Sequence, residues 1–155
     1  MKYFSIRELT KSATATRLGI DNTAKGAVLA SLTTLINCVL DPLRERWGAP
    51  IVVTSGYRCA ALNKVVGGAA SSQHTKGEAA DIRSLSDSRA DNMRLLRLLL
   101  GSDIEFDQVI CEYPDNDGRP DWIHVSYKAS GRNRRSMLTA RRVGGVTKYY
   151  NGINV

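Results

Sequence analysis

Histidine stands at only two positions in this 155-residue chain, 74 and 124, and each lies in a short polar cluster. The first cluster reads Ser72-Gln73-His74-Thr75-Lys76-Gly77-Glu78-Ala79-Ala80-Asp81, the second Asp121-Trp122-Ile123-His124. Two imidazoles and one carboxylate make an open zinc site, with three N/O ligands from the protein and a fourth position left to water. Bringing them to one point is the tightest constraint the chain carries. A helix over 74–81 would set His74 and Asp81 about 10 Å apart along its axis. A fully extended chain would set them about 23 Å apart, whereas zinc bonds are near 2 Å. The segment must fold back, and Gly77, the residue freest to take positive φ, is the predicted turn. In the second cluster, strand periodicity puts 122, 124 and 126 on one face. Asp121 then lies just before the strand, and Pro120, lacking an N–H, suits the preceding turn.

Three motifs now stand in order: Ser55-Gly56-Tyr57-Arg58, Ser-x-His-x-x-Gly-x-Ala-x-Asp at 72–81, and Asp-x-x-His at 121–124. Together they resemble the M15 family of zinc peptidases over residues 51–126. That family takes in D-alanyl-D-alanine carboxypeptidases and dipeptidases, L-alanyl-D-glutamate endopeptidases and phage endolysins. The resemblance implies one zinc per chain on His74, Asp81 and His124, a catalytic carboxylate at Asp121, where some members carry Glu, and substrate contacts from Arg58 and Ser72. It also implies a Hedgehog/DD-peptidase-like fold, a small sheet with helices packed against it. The expected activity is hydrolysis of peptide bonds in peptidoglycan stem peptides, by carboxypeptidase or endolysin-type endopeptidase action. Zinc would lower the pKa of a water towards about 7 and polarise the scissile carbonyl. Asp121 would take that proton and return it to the leaving amine. Arg58, a planar permanent cation, suits a substrate carboxylate or a developing oxyanion.

Each of these residues also has an ordinary structural role open to it. Asp81 and Asp121 are common turn residues, Arg58 can pair with a surface acid, and Ser72 can cap local backbone groups. Glu78 is the main rival for the catalytic carboxylate and Glu112 a weaker one. A second class of function is a basic module that binds nucleic acid or another polyanion and carries a non-catalytic metal site. A third is a protein of the same fold that has lost catalysis and serves recognition. Nucleic-acid binding lacks support outside the C-terminal segment, because no recognisable module or aromatic–basic interleaving is present elsewhere.

The charge is unevenly placed. Of 22 Lys and Arg and 15 Asp and Glu, seven bases and no acid fall in 128–155, so the net charge of +7 belongs to that segment. Arg132, Arg134 and Arg135 are candidates for holding an anionic cell-wall polymer. Cys38, Cys59 and Cys111 are odd in number and widely spaced, which argues against a disulfide framework or a cysteine zinc site. Cys38 and Cys111 are expected in the core. The first residues lack the apolar core of a secretory signal, and no uninterrupted run of about 18 apolar residues is present to span a bilayer. The expectation is cytoplasmic synthesis, with the wall reached on phage or prophage lysis.

Length and 43% hydrophobic content suit one domain and a monomer. Ser5-x-x-Glu8 is a capping box opening a helix that fades before Gly19. Val28, Leu32, Leu35, Ile36, Val39, Leu40 and Leu43 recur at helical spacing over 23–47. Pro42 kinks this helix or splits it with Asp41 as N-cap. A central strand is predicted at 51–54, a helical turn at 60–66, a helix over 88–100 ended by Gly101, and strands at 106–113 and 122–127. Helices first and strands later give an α+β class with a largely antiparallel sheet.

Overall fold

The computed structural model describes residues 1–129 and 131–155. Short N-terminal helices α1 (Ile6–Thr10) and α2 (Ala13–Leu18) are capped by the hydroxyls of Ser5 and Ser12, which accept from Glu8 N and Ala15 N. The single helix expected there is thus two, the second closed by Gly19 at positive φ. A continuous helical rod follows: α3 (Gly26–Leu35), a π turn (Ile36–Leu40) and α4 (Asp41–Trp47). Pro42 has no N–H to give to the preceding turn. The backbone widens just before it, and Asp41 N bonds Ile36 O. Asp41 is therefore not an N-cap. Its carboxylate instead accepts the backbone N–H groups of Lys2, Tyr3 and Phe4, tying the N-terminus to the rod. The rod, Gly26–Trp47, is long and apolar enough by mean composition to cross a membrane, although Ser31, Thr33, Thr34, Asn37 and Asp41 interrupt its apolar run. Leu32, Leu35, Ile36, Val39, Leu40 and Leu43 along it are fully buried in the protein's own core.

The sheet has six strands: β1 (Ile51–Ser55), β2 (Ala79–Ser84), β3 (Gln108–Glu112), β4 (Trp122–Ser126), β5 (Ser136–Val143) and β6 (Val146–Asn151). Their order is β1-β2-β4-β3-β5-β6, so β1 lies at an edge and not at the centre as expected. The expectation of a largely antiparallel sheet is also corrected, because β3 and β5 run parallel and the sheet is mixed. The chain leaves β4, crosses past β3 and enters β5 on the far side, running the same way as β3. Asp107, fully buried, anchors that crossing. It accepts from Arg134 Nε at 2.9 Å and Nη2 at 2.7 Å, and its backbone bonds Ser136 N. Burial alone would raise the Asp107 carboxyl, but hydrogen bonds from Arg134 and Gln73 hold it well below the usual range.

Strand alternation divides the sheet into two faces. A short helix α5 (Ala60–Val65) stands at the predicted helical turn. Ala80, Ile82, Val109, Cys111, Ile123 and Val125 point into a core shared with the rod and with α6 (Arg89–Leu100), which Ser88 caps. The other face carries Asp81, Ile110, Glu112, Trp122, His124 and Leu138, and helices leave it open. Cys111 is buried, as expected, but Cys38 is exposed on the polar side of the rod.

The basic segment is largely sheet. Arg134 is held by Asp107, and Arg135 donates to Leu100 O and Ile104 O while lying over the Phe106 ring. Both are structural cations, which removes them from a freely solvated tether. Arg141, Arg142 and Lys148 on the β5–β6 hairpin are exposed.

Candidate active site

His74 sits in a 3₁₀ turn, Gln73–Lys76, which ends on Gly77 at φ +70°. The reversal predicted at Gly77 is present, and a Cβ there would stand 2.7 Å from Val28 O of α3. The turn swings His74 back over β2, where Asp81 lies paired with His124 of β4. A bulge at the end of β1 leads into Ser55-Gly56-Tyr57-Arg58. A Cβ on Gly56 would meet the backbone oxygen of Leu9 at 2.1 Å, so that close approach needs glycine. Through it the Gly56 carbonyl reaches His74 Nδ1 at 2.7 Å, which fixes the tautomer that presents Nε2 to the cavity.

The three ligand atoms of His74, Asp81 and His124 lie within 4.8 Å of one another. Asp81 Oδ1 is 3.4 Å from His74 Nε2 and 3.0 Å from His124 Nδ1. Ligands at tetrahedral corners with bonds near 2 Å stand roughly 3.3 Å apart, so this donor set fits one zinc ion. Burial pushes the Asp81 carboxyl up, but the charge of His74 and hydrogen bonds from both imidazoles outweigh it and keep Asp81 ionised. The His74 rotamer is held from behind by a carbonyl and the His124 ring by its strand.

The group opens into a cavity of about 720 Å³ lined on one side by Arg58, Ser72 and Gln73 and on the other by Glu112, Trp122 and Tyr149. Arg58 enters from behind Ser72. Its guanidinium donates to Ser55 Oγ at 3.1 Å, Asn63 Oδ1 at 3.2 Å and Ser72 Oγ at 3.5 Å. It forms no ion pair among the described residues, and burial lowers its pKa from the usual value. Ser72 also accepts from His74 N, so both the capping role and the cavity position read from the sequence are occupied by one hydroxyl.

Asp121, expected as the general base, does not line this cavity. It precedes β4 with the wrong parity to share the face of His124, and its half-exposed carboxylate lies 3.5 Å from Arg89 of α6. Its backbone is clamped, N–H to Glu112 O and C=O to Asn92 Nδ2. With Asp81 and Thr54 it borders a separate, smaller depression. Glu112 does line the cavity and is only 7% exposed. Burial, with the Asp81 charge adding to it and His124 opposing, raises its carboxyl to about 7. The only sequence signal for Glu112 was its place at the end of an apolar strand. Glu78, the main rival, lies on the helix-facing parity of β2 and does not line the cavity.

A buried His/Asp/His group facing an open cavity with a protonatable carboxylate beside it is the kind of centre found in metal-dependent hydrolases. The sequence profile of the Peptidase M15 family matches residues 2–126, and the chain belongs to that family. M15 peptidases are zinc-dependent, and the His74, Asp81 and His124 group is a possible metal site of that kind. No curated protein matches the chain.

Proposed function

We propose that this protein hydrolyses a peptide bond in peptidoglycan stem peptides, with zinc held by His74, Asp81 and His124. The observation that carries the reading is the pairing, in one cavity, of that open ligand set with a buried Glu112 and an Arg58 that has no acidic partner among the described residues. Zinc supplies a water of lowered pKa and polarises the scissile carbonyl. Glu112 takes the proton of the attacking water and returns it to the leaving amine. An enclosed carboxylate in the same cavity as the ligand group is placed for both halves of that transfer. Arg58 binds a free carboxylate of the stem peptide in a fork geometry, and Ser72 holds the guanidinium in place. An anionic wall polymer docks on the exposed Arg141 and Lys148 of the β5–β6 hairpin.

Incubating the zinc-loaded protein with intact peptidoglycan and identifying the fragments by mass spectrometry tests this. Loss of a single terminal D-alanine identifies an exopeptidase and release of longer peptides an endopeptidase. No released amine with any wall preparation or soluble stem peptide overturns the reading.

A further inference from the structure

The family match ends at Ser126, yet one wall of the cavity comes from beyond it, from Thr147 and Tyr149 of β6. Trp122, Glu112, Ala140 and Tyr149 form one continuous row across β4, β3, β5 and β6, each in register with the next. Neighbouring strands lie about 4.8 Å apart, so the Tyr149 backbone is roughly 10 Å from that of Glu112. The residue between them is Ala140, whose methyl group leaves room above it. Ala140 is nonetheless fully buried on this open face, covered by larger neighbours. Tyr149, 58% exposed at the rim, lines the same cavity as Glu112. The hairpin is held in that position by the Tyr113 hydroxyl, 2.6 Å from Thr147 Oγ1, and by the Tyr113 ring tilted at 51° against Trp122, centroids 5.2 Å apart.

Several other polar groups of the lining are engaged. Ser72 meets Arg58 and His74 N, Gln73 donates to Asp107, Gln108 to Ser136, and Thr147 meets Tyr113. The Tyr149 hydroxyl makes no hydrogen bond among the described residues. Burial, and after it the charges of Glu112, Tyr113 and Asp81, push its phenol up, so it remains protonated and able to donate.

We propose that Tyr149 is a catalytic residue: its hydroxyl donates a hydrogen bond to the substrate carbonyl oxygen as that oxygen becomes negative in the tetrahedral intermediate. This rests on the peptidase reading above. Water oxygen bonds to the carbonyl carbon, the carbonyl π pair moves onto its oxygen, and the water proton passes to Glu112. The C–N bond then breaks and the same proton goes to the amine. Tyr149 keeps its own proton throughout.

The test uses the full zinc-loaded chain and Tyr149→Phe. On a soluble stem peptide, kcat falls about a hundredfold, the low end for losing one oxyanion donor, while KM stays within about twofold. Zinc content and thermal unfolding match the wild type, which separates lost chemistry from lost structure. Calorimetry with a phosphinate analogue of the cleaved bond, a tetrahedral anion, shows a comparable loss of affinity, whereas the product peptide binds as before. In a crystal structure of that complex the phenol oxygen lies about 3 Å from a phosphinate oxygen. Unchanged kcat and phosphinate affinity in Tyr149→Phe overturn the inference and leave the peptidase reading standing. Equal weakening of phosphinate and product overturns it too, because that is the mark of a packing role. A wild type that hydrolyses nothing sinks the peptidase reading, and the phosphinate comparison still decides whether Tyr149 recognises a tetrahedral anion.

Discussion

Two carboxylates compete for one role, and their surroundings separate them. Glu112 is enclosed beside the ligand group, whereas Asp121 is half exposed and turned towards Arg89. Glu112→Gln is expected to retain zinc and lose at least about a hundredfold in kcat, the low end of general-base catalysis, with Asp121→Asn within a few-fold of wild type. The reverse order in a steady-state assay would return the base to Asp121. Glu112 also sets a pH signature in the metal-free protein. Its carboxyl rises from 4.5 to about 7 on folding, so the folded state holds a proton more tightly than the unfolded one between those values. Stability therefore falls as pH rises from about 4.5 through 7, and Glu112→Gln should remove that slope in urea titrations at pH 5 and 8. At the ligands, His74→Ala leaves two donors, and metal analysis should find the single zinc per chain lost. Near-stoichiometric zinc in that variant would refute the ligand set.

Among the elements, the 3₁₀ turn before β2 carries the most demanding geometry. Gly77 combines positive φ with contact against Val28 O of the rod, so Gly77→Ala is both strained and crowded. It should lower stability by at least about 2 kcal/mol and weaken zinc affinity through displacement of His74, measured by urea unfolding and by competition with a chelator. Wild-type values for both would mean that another residue sets the reversal. Gly77 was legible in the sequence because two ligands seven residues apart could converge only through a reversal. Helix α6 was legible from its apolar spacing and its end at Gly101. The π turn was not, because periodicity registers that a helix continues and not how it widens around Pro42. Nor were β5 and β6, where Arg141, Arg142, Thr147 and Lys148 mask the alternation of strands with a solvated face.

For the molecule as a whole, the unequal charge becomes a surface only once the last two strands are placed. Arg134 and Arg135 are spent on Asp107 and on the carbonyls after α6, so neutralising them would disturb the fold. Arg141 and Lys148, paired across β5 and β6, are exposed and, with the exposed Arg132 and Arg142, are cations left for an anionic wall. Arg141→Gln with Lys148→Gln should weaken sedimentation with intact cell walls and flatten its salt dependence, since exposed charges are screened within about 8 Å at physiological ionic strength. Turnover of a soluble stem peptide should barely change. Unaltered wall binding would remove the hairpin as a docking surface, and tight binding to duplex DNA without wall hydrolysis would favour the polyanion-binding alternative.

His74, Asp81 and His124 could be picked out from residue type and spacing, because few side chains ligate zinc and their convergence has few chain paths. The helices and inner strands followed from periodicity for a similar reason, since burying one face imposes a repeat on the sequence. Tertiary structure decided where the two carboxylates lie relative to the ligand group: the pairing of β3 with β4 sets Glu112 beside Trp122 in the cavity, while Asp121, just before β4, turns to Arg89 and borders the smaller depression with Asp81. It also decided that a C-terminal hairpin supplies the far wall. Pairing partners and parallel sense depend on contacts between segments far apart in the chain, and no local pattern encodes them.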